Sequence, residues 1–246
     1  MSAALEGRGV QIETQPILTF HGTDGCGKTT IATDFFAQQL LTNPDVLLLG
    51  SSDCEKWLDA AVYTRYVGSS ERLERGTATN ARARDLVNFY EDVAVCLYGV
   101  VRDHIASRGP VIIHSDPYLK RLTWARKYFG DDDFWEYANR FDSYMTELIG
   151  DVFSSHVAIV KVDEKTSFDR AQQRGGVKGF DPETEEDNQL MAKAVDYIET
   201  TLLGDERPYE RLIGSKTCLI ANPTASEEDQ DELFRTIRIS LNSFIR

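Results

Sequence analysis

The chain has 246 residues, with 27 Lys and Arg against 40 Asp and Glu, a formal charge of −13, and 41% hydrophobic and 27% charged residues. This length buries a full core and suits one large domain, and the composition excludes collagen-like, disordered and disulfide-stapled classes. So acidic a chain does not attract polyanions as a whole, which argues against nucleic acid as a partner, and no apolar run approaches the roughly 20 residues of a membrane span.

Residues 1–15 contain no apolar stretch of the signal-peptide kind and read as a flexible polar leader to a single domain over 16–246. The four cysteines are scattered, so free thiols and a cytoplasmic setting are expected. Residues 16–21 (PILTFH) form an apolar run that ends in a glycine-rich turn, the pattern of a buried strand. A helix is predicted from Lys28, and a second strand over 46–49 follows the turn Asn43-Pro44-Asp45. Leu86, Phe89, Tyr90, Val93, Leu97, Val100, Val101 and Ile105 recur at helical spacing, which predicts a long helix over 82–107, stopped by Gly109-Pro110. Val111–His114 is the third strand. Residues 119–150 read as helical with an interruption near Gly130 and the triplet Asp131-Asp132-Asp133. A fourth strand over 157–162, a helix through Arg174, a glycine-bearing loop, a helix over 184–203, a strand over 217–221 and a last helix complete the order. Strands alternating with helices predict an α/β fold, a three-layer doubly wound parallel sheet of about five strands. Ligands bind such folds beyond the carboxyl ends of the strands.

One motif lies at such an end. Gly22-Thr23-Asp24-Gly25-Cys26-Gly27-Lys28-Thr29 matches G-x-x-x-x-G-K-[ST], after a strand and at the start of a helix. Its glycines let successive N–H groups point at phosphate oxygens, the helix N-terminus adds partial positive charge, and Lys28 supplies a full one. Thr29 places a hydroxyl where Mg²⁺ sits in such loops. Chance alone gives on the order of 0.01 matches in a chain of this size. Cys26, at the helix start, is expected to form a reactive thiolate that ATP protects.

With Phe20-His21 before it and Thr30 after it, this segment resembles the thymidylate kinase family, within the nucleoside and nucleoside-monophosphate kinases. The resemblance spans about residues 16–245 and is motif-grade only in the first loop. It implies a P-loop kinase fold with a helical lid over about 170–187, with ATP and Mg²⁺ as cofactors and a nucleotide or nucleoside as acceptor; it also allows a homodimer. Gly22 to Thr30 would bind the nucleotide, with Lys28 on the β- and γ-phosphates. Arg170 and Arg174, four apart on one helix face, would close over the transferring group. Asp116, after the third strand, would serve Mg²⁺ opposite Thr29, although a turn-forming Asp before Pro117 reads as well. Asp24 would contact the acceptor sugar or order the metal site.

Three departures from the family pattern point to an altered acceptor. Asp116-Pro117-Tyr118 lacks the arginine that the family carries after this carboxylate, and Val93 replaces a second one. Gly50 to Glu55 matches neither the Arg-Glu-Pro segment of thymidylate kinases nor the deoxynucleoside-kinase pattern. In this last segment Asp53 is a candidate base for a hydroxyl acceptor, or the N-cap of the next helix. Arg65, Arg72, Arg75, Arg82 and Arg84 form a basic stretch suited to an anionic acceptor or to surface ion pairs. Phe89 and Tyr90 are candidates for base stacking, although aromatics at helical spacing also read as core. His21 and His114 read as polar boundary residues, and Asp163 as a structural turn residue. Two other readings stay open: a regulatory NTPase that switches a partner, and a kinase acting on a modified nucleotide within DNA.

Overall fold

The computed structural model describes residues 16–50, 79–106, 109–149, 155–174, 184–197, 199–200, 216–221 and 227–244. Its strands are β1 (Ile17–His21), β2 (Leu47–Gly50), β3 (Val111–Ser115), β4 (His156–Lys161) and β5 (Lys216–Ala221). The helices are α1 (Lys28–Leu40), α2 (Thr79–Ile105), α3 (Pro117–Ile149), α4 (Glu164–Gln173), α5 (Glu185–Tyr197) and α6 (Glu227–Phe244). All strand pairs are parallel, in the order β2-β3-β1-β4-β5.

Parallel strands covered on both faces read as continuous apolar runs, and all five residues of β1 are buried. Alternate residues then serve opposite faces. Ile17, Val111, Ile113, Val157 and Ile159 pack in one cluster with Val93, Leu97 and Val101 of α2, Leu119, Leu122 and Phe141 of α3, and Met191 of α5. Leu18, Phe20, Ile112, Ala158 and Val160 pack on the other face with Ile31 and Phe35 of α1 and Ile237 and Leu241 of α6. The helices that leave neighbouring strands β1 and β3 therefore run to opposite faces. A crevice opens between them at the carboxyl ends, and both connecting loops enter it.

The sequence reading is corrected in α3, which runs unbroken through Gly130 and the acidic triplet. Buried side chains continue on both sides of that point: Leu122, Trp124 and Ala125 before it, Phe134, Ala138 and Phe141 after it. Their packing outweighs the roughly 1 kcal/mol that a single helical glycine costs. Of the helix expected over 184–203, residues 198 and 201–203 lie outside the described part. Among the described residues no helix is long and apolar enough to cross a membrane.

Candidate active site

The loop after β1 has its three glycines at positive φ: Gly22 at 152°, Gly25 at 84° and Gly27 at 89°. At Gly25 the need for glycine is double, because a Cβ there would also lie 2.0 Å from the Ser167 carbonyl oxygen in α4. Gly27 occupies the N-cap of α1 in the left-handed conformation, with no side-chain cap and no acidic residue in the first turn. Most helices fill that position with Ser, Thr, Asp or Asn. Here no side chain competes for the first amides of α1, the arrangement that suits an anion.

Lys28 folds back over the loop, its Nζ donating to the Thr23 carbonyl at 3.0 Å and lying 3.5 Å from Asp24 Oδ1. A second ammonium, that of Lys120, stands at 3.5 Å from the same carboxylate oxygen and 5.2 Å from the centroid of the Tyr90 ring. Burial works against the Asp24 charge, but Lys120 and Lys28, with a smaller contribution from Arg174, outweigh it and hold the carboxyl down at about 2. Asp24 is thus a fixed anion at neutral pH and a weak base.

Asp116 begins α3. Its Oδ1 accepts from the Tyr118 amide at 2.9 Å, its carbonyl accepts from the Lys120 amide, and Pro117 opens the helix where a missing N–H costs nothing. Its Oδ2 accepts from the Tyr98 hydroxyl of α2 at 2.9 Å. The two uses weighed for this residue are therefore compatible, since the capped carboxylate also faces the crevice. Burial pushes Asp116 up to about 6, against the hydrogen bonds from Tyr98 and Tyr118.

One pocket joins these groups; its lining includes Gly22, Asp24, Lys28, Asp116 and Lys120. His21 and Thr123 also line it, with His21 Nε2 3.4 Å from Thr123 Oγ1. Burial, then Lys28 and Lys120, lower His21 to about 3, so its ring is neutral and it is an interior residue rather than a boundary one. Thr29 Oγ1 lies 3.4 Å from His114 Nδ1 at the end of β3.

The remaining expectations divide. Arg174, the C-cap of α4, is exposed but acts on Asp24 through its charge, whereas Arg170 in the last turn acts on Asp163. Asp163 caps α4 through the Thr166 amide, as a structural turn residue should. Phe89 is 1% exposed and sits edge-on to Tyr90 inside the core, so its ring is packing material, the other reading of its spacing. Tyr90 is also buried and carries Lys120 over its face. Cys26 corrects the reactivity expectation: its side chain is fully buried in the core below the loop, where an alkylating agent has no access. Arg82 and Arg84 lie near the start of α2, but their side chains fall outside what is described. Asp53, Arg65, Arg72, Arg75 and residues 175–183 of the lid lie outside the described residues as well.

Sequence reasoning missed Lys120 and Tyr98, and it set His21 aside as a boundary residue. Lys120 left a signal, since it follows Asp116 by four residues and shares its helix face. Tyr98 left none, because only the packing of α2 on α3 brings it to Asp116.

A parallel sheet with an uncapped glycine loop, a loop lysine and a facing carboxylate defines the P-loop nucleotide-binding fold in its kinase-like form. Among solved structures, the chain is similar to the deoxyadenosine kinase of M. mycoides, solved with the products dCMP and a flexible dCDP bound. The TM-score is 0.53 at 14% identity, covering 92% of this chain and 99% of that one. The thymidylate kinase of Ehrlichia chaffeensis also matches, with a TM-score of 0.48 at 14% identity over 94% of this chain and 98% of the other. No protein-family model and no curated protein sequence matches the chain. The chain shares the fold of that deoxyadenosine kinase.

Proposed function

We propose that the protein is an ATP- and Mg²⁺-dependent phosphotransferase whose acceptor is a nucleoside or nucleotide. The observation that carries this reading is the convergence of Lys28, Asp24, Asp116 and Lys120 on one pocket at the mouth of an uncapped helix. Phosphoryl transfer asks a protein mainly for positioning and charge compensation, and this set supplies both. The loop amides and Lys28 would orient the β- and γ-phosphates. Arg174, whose charge already reaches Asp24, would add positive field from the lid side.

Among the described residues no group of three or more His, Cys, Asp or Glu forms a metal cage. Mg²⁺ does not need one, because it usually takes one or two protein ligands together with phosphates and water. The Thr29 hydroxyl and the Asp116 carboxylate fit that modest role, since the carboxylate accepts from Tyr98, Tyr118 and Leu119 and has about four lone-pair positions in all. When bound, the ion would offset the negative charge of the phosphates.

The structural neighbour that holds dCMP and dCDP supports nucleosides and their monophosphates as the acceptors to try first. The test is a transfer screen with ATP and Mg²⁺ across nucleosides, nucleoside monophosphates and oligonucleotides, with products separated by chromatography. A phosphorylated nucleoside or nucleotide supports the reading. ATP consumption with no phosphorylated acceptor would overturn it in favour of a regulatory NTPase, and label confined to oligonucleotide would move the substrate to DNA.

A further inference from the structure

Beyond Asp116 the pocket holds a second cation besides Lys28. Lys120 enters one helical turn later, from the first turn of α3, and its ammonium is fixed on two sides, by the Tyr90 ring and by Asp24. Lys28 and Lys120 each stand 3.5 Å from the same Asp24 oxygen, so the two ammonium groups lie within twice that distance of each other. Charge-assisted hydrogen bonds of about 2.8 Å from each, to different oxygens of one phosphate, span such a gap. The side chains are 12% and 19% exposed, and both line the same pocket.

We propose that Lys120 is a second phosphate-binding cation, paired with Lys28 across Asp24, and that one phosphoryl group binds between the two lysines. This inference rests on the phosphotransferase reading and gives Lys120 a specific role within it. Asp24 is the anion that holds both lysines, and an incoming phosphate would share them. A lysine suits the task because its ammonium is a point charge with three donors on a flexible stem. A phosphate at this place comes from either of two sources, the γ-position of the donor or the 5′-position of a monophosphate acceptor.

Two pairs of ligands separate the sources. Calorimetry measures MgATP against MgADP, and deoxynucleoside monophosphates against the matching nucleosides, on wild type, Lys120→Met and Lys120→Arg. The inference predicts that Lys120→Met loses about tenfold or more in affinity for one phosphate-bearing member while its partner is unchanged, and that Lys120→Arg restores most of it. Selective loss of ATP assigns the γ-phosphate; selective loss of the monophosphate assigns the acceptor. Equal weakening of all four ligands, or of none, overturns the inference and leaves Lys120 a structural counter-ion of Asp24. A wild-type protein that binds ATP while Lys120→Met is indistinguishable from it ends this inference alone, whereas a wild type that binds none of the four ends the phosphotransferase reading as well.

Discussion

Buried ionisable groups crowd the mouth of the crevice, and their titrations oppose one another. His21 is held neutral down to about 3, below its usual 6.5. The unfolded chain therefore binds its proton first, and the stability that His21 contributes is complete above pH 6.5 and declines as pH falls toward 3. Asp116 is raised from 3.8 to about 6, so the folded state binds the extra proton and stability declines as pH rises through that window. Asp24, lowered from 3.8 to about 2, matters only at more acid pH, where its stabilisation is lost as the carboxylate protonates. Between pH 4 and 6 the first two slopes partly cancel. His21→Gln should leave a stability that decreases from pH 4 to 6, and Asp116→Asn one that increases over the same range, as read from denaturation midpoints. Parallel profiles in the two variants would contradict these assignments. Backbone geometry makes a separate prediction at Gly25. Alanine there meets a positive φ and the Ser167 carbonyl together, so Gly25→Ala should cost at least about 2 kcal/mol in denaturant unfolding; an unchanged midpoint would remove the close approach of α4 to the loop.

The strands and helices were legible where the signal is local. All five strands are short apolar runs bounded by turn residues, and α2 carries an apolar stripe with a Gly-Pro stop. What could not be read locally was the continuity of α3, since a glycine beside three aspartates breaks a helix unless something packs across it. The stripe from Tyr118 to Met145 does so against α2, and that contact exists only in the assembled fold. The same division holds for the site. The phosphate loop is contiguous in sequence, so Lys28 and Thr29 were visible. Lys120, His21 and Tyr98 come together because β3 neighbours β1 and α3 neighbours α2, a pairing that no single segment announces. Within α2, Gly99 has open space around a hypothetical Cβ. Gly99→Ala should therefore stabilise the protein by about 0.5–1 kcal/mol through helix propensity alone, seen as a rise in Tm. A fall in Tm would show that the helix is more closely packed at that point than described.

At the scale of the whole molecule, an anionic ligand must reach a cationic pocket set in a chain of charge −13. The contacts inside the pocket act over 3–4 Å and are only weakly screened, whereas the approach crosses a repulsive outer field. Raising the ionic strength from 0.01 M to 0.15 M shortens the screening length from about 30 Å to about 8 Å. The association rate of ATP, followed by stopped flow, should therefore increase with salt over that range; a decrease would mean that a larger basic surface guides the ligand. The fold explains how the two charges coexist, because the crevice between helices on opposite faces of the sheet gathers Lys28 and Lys120 at one place while acidic residues elsewhere set the net charge.

The most direct test of the account measures transfer of the γ-phosphoryl group from labelled ATP to the best acceptor, in wild type and in Lys28→Ala, with folding of the variant checked by its thermal transition. A loop lysine that supplies the main charge compensation predicts labelled product with wild type and a loss of about 100-fold or more in kcat/KM with the variant. Equal rates in a folded variant, or no transfer by wild type to any nucleoside or nucleotide, would contradict the account.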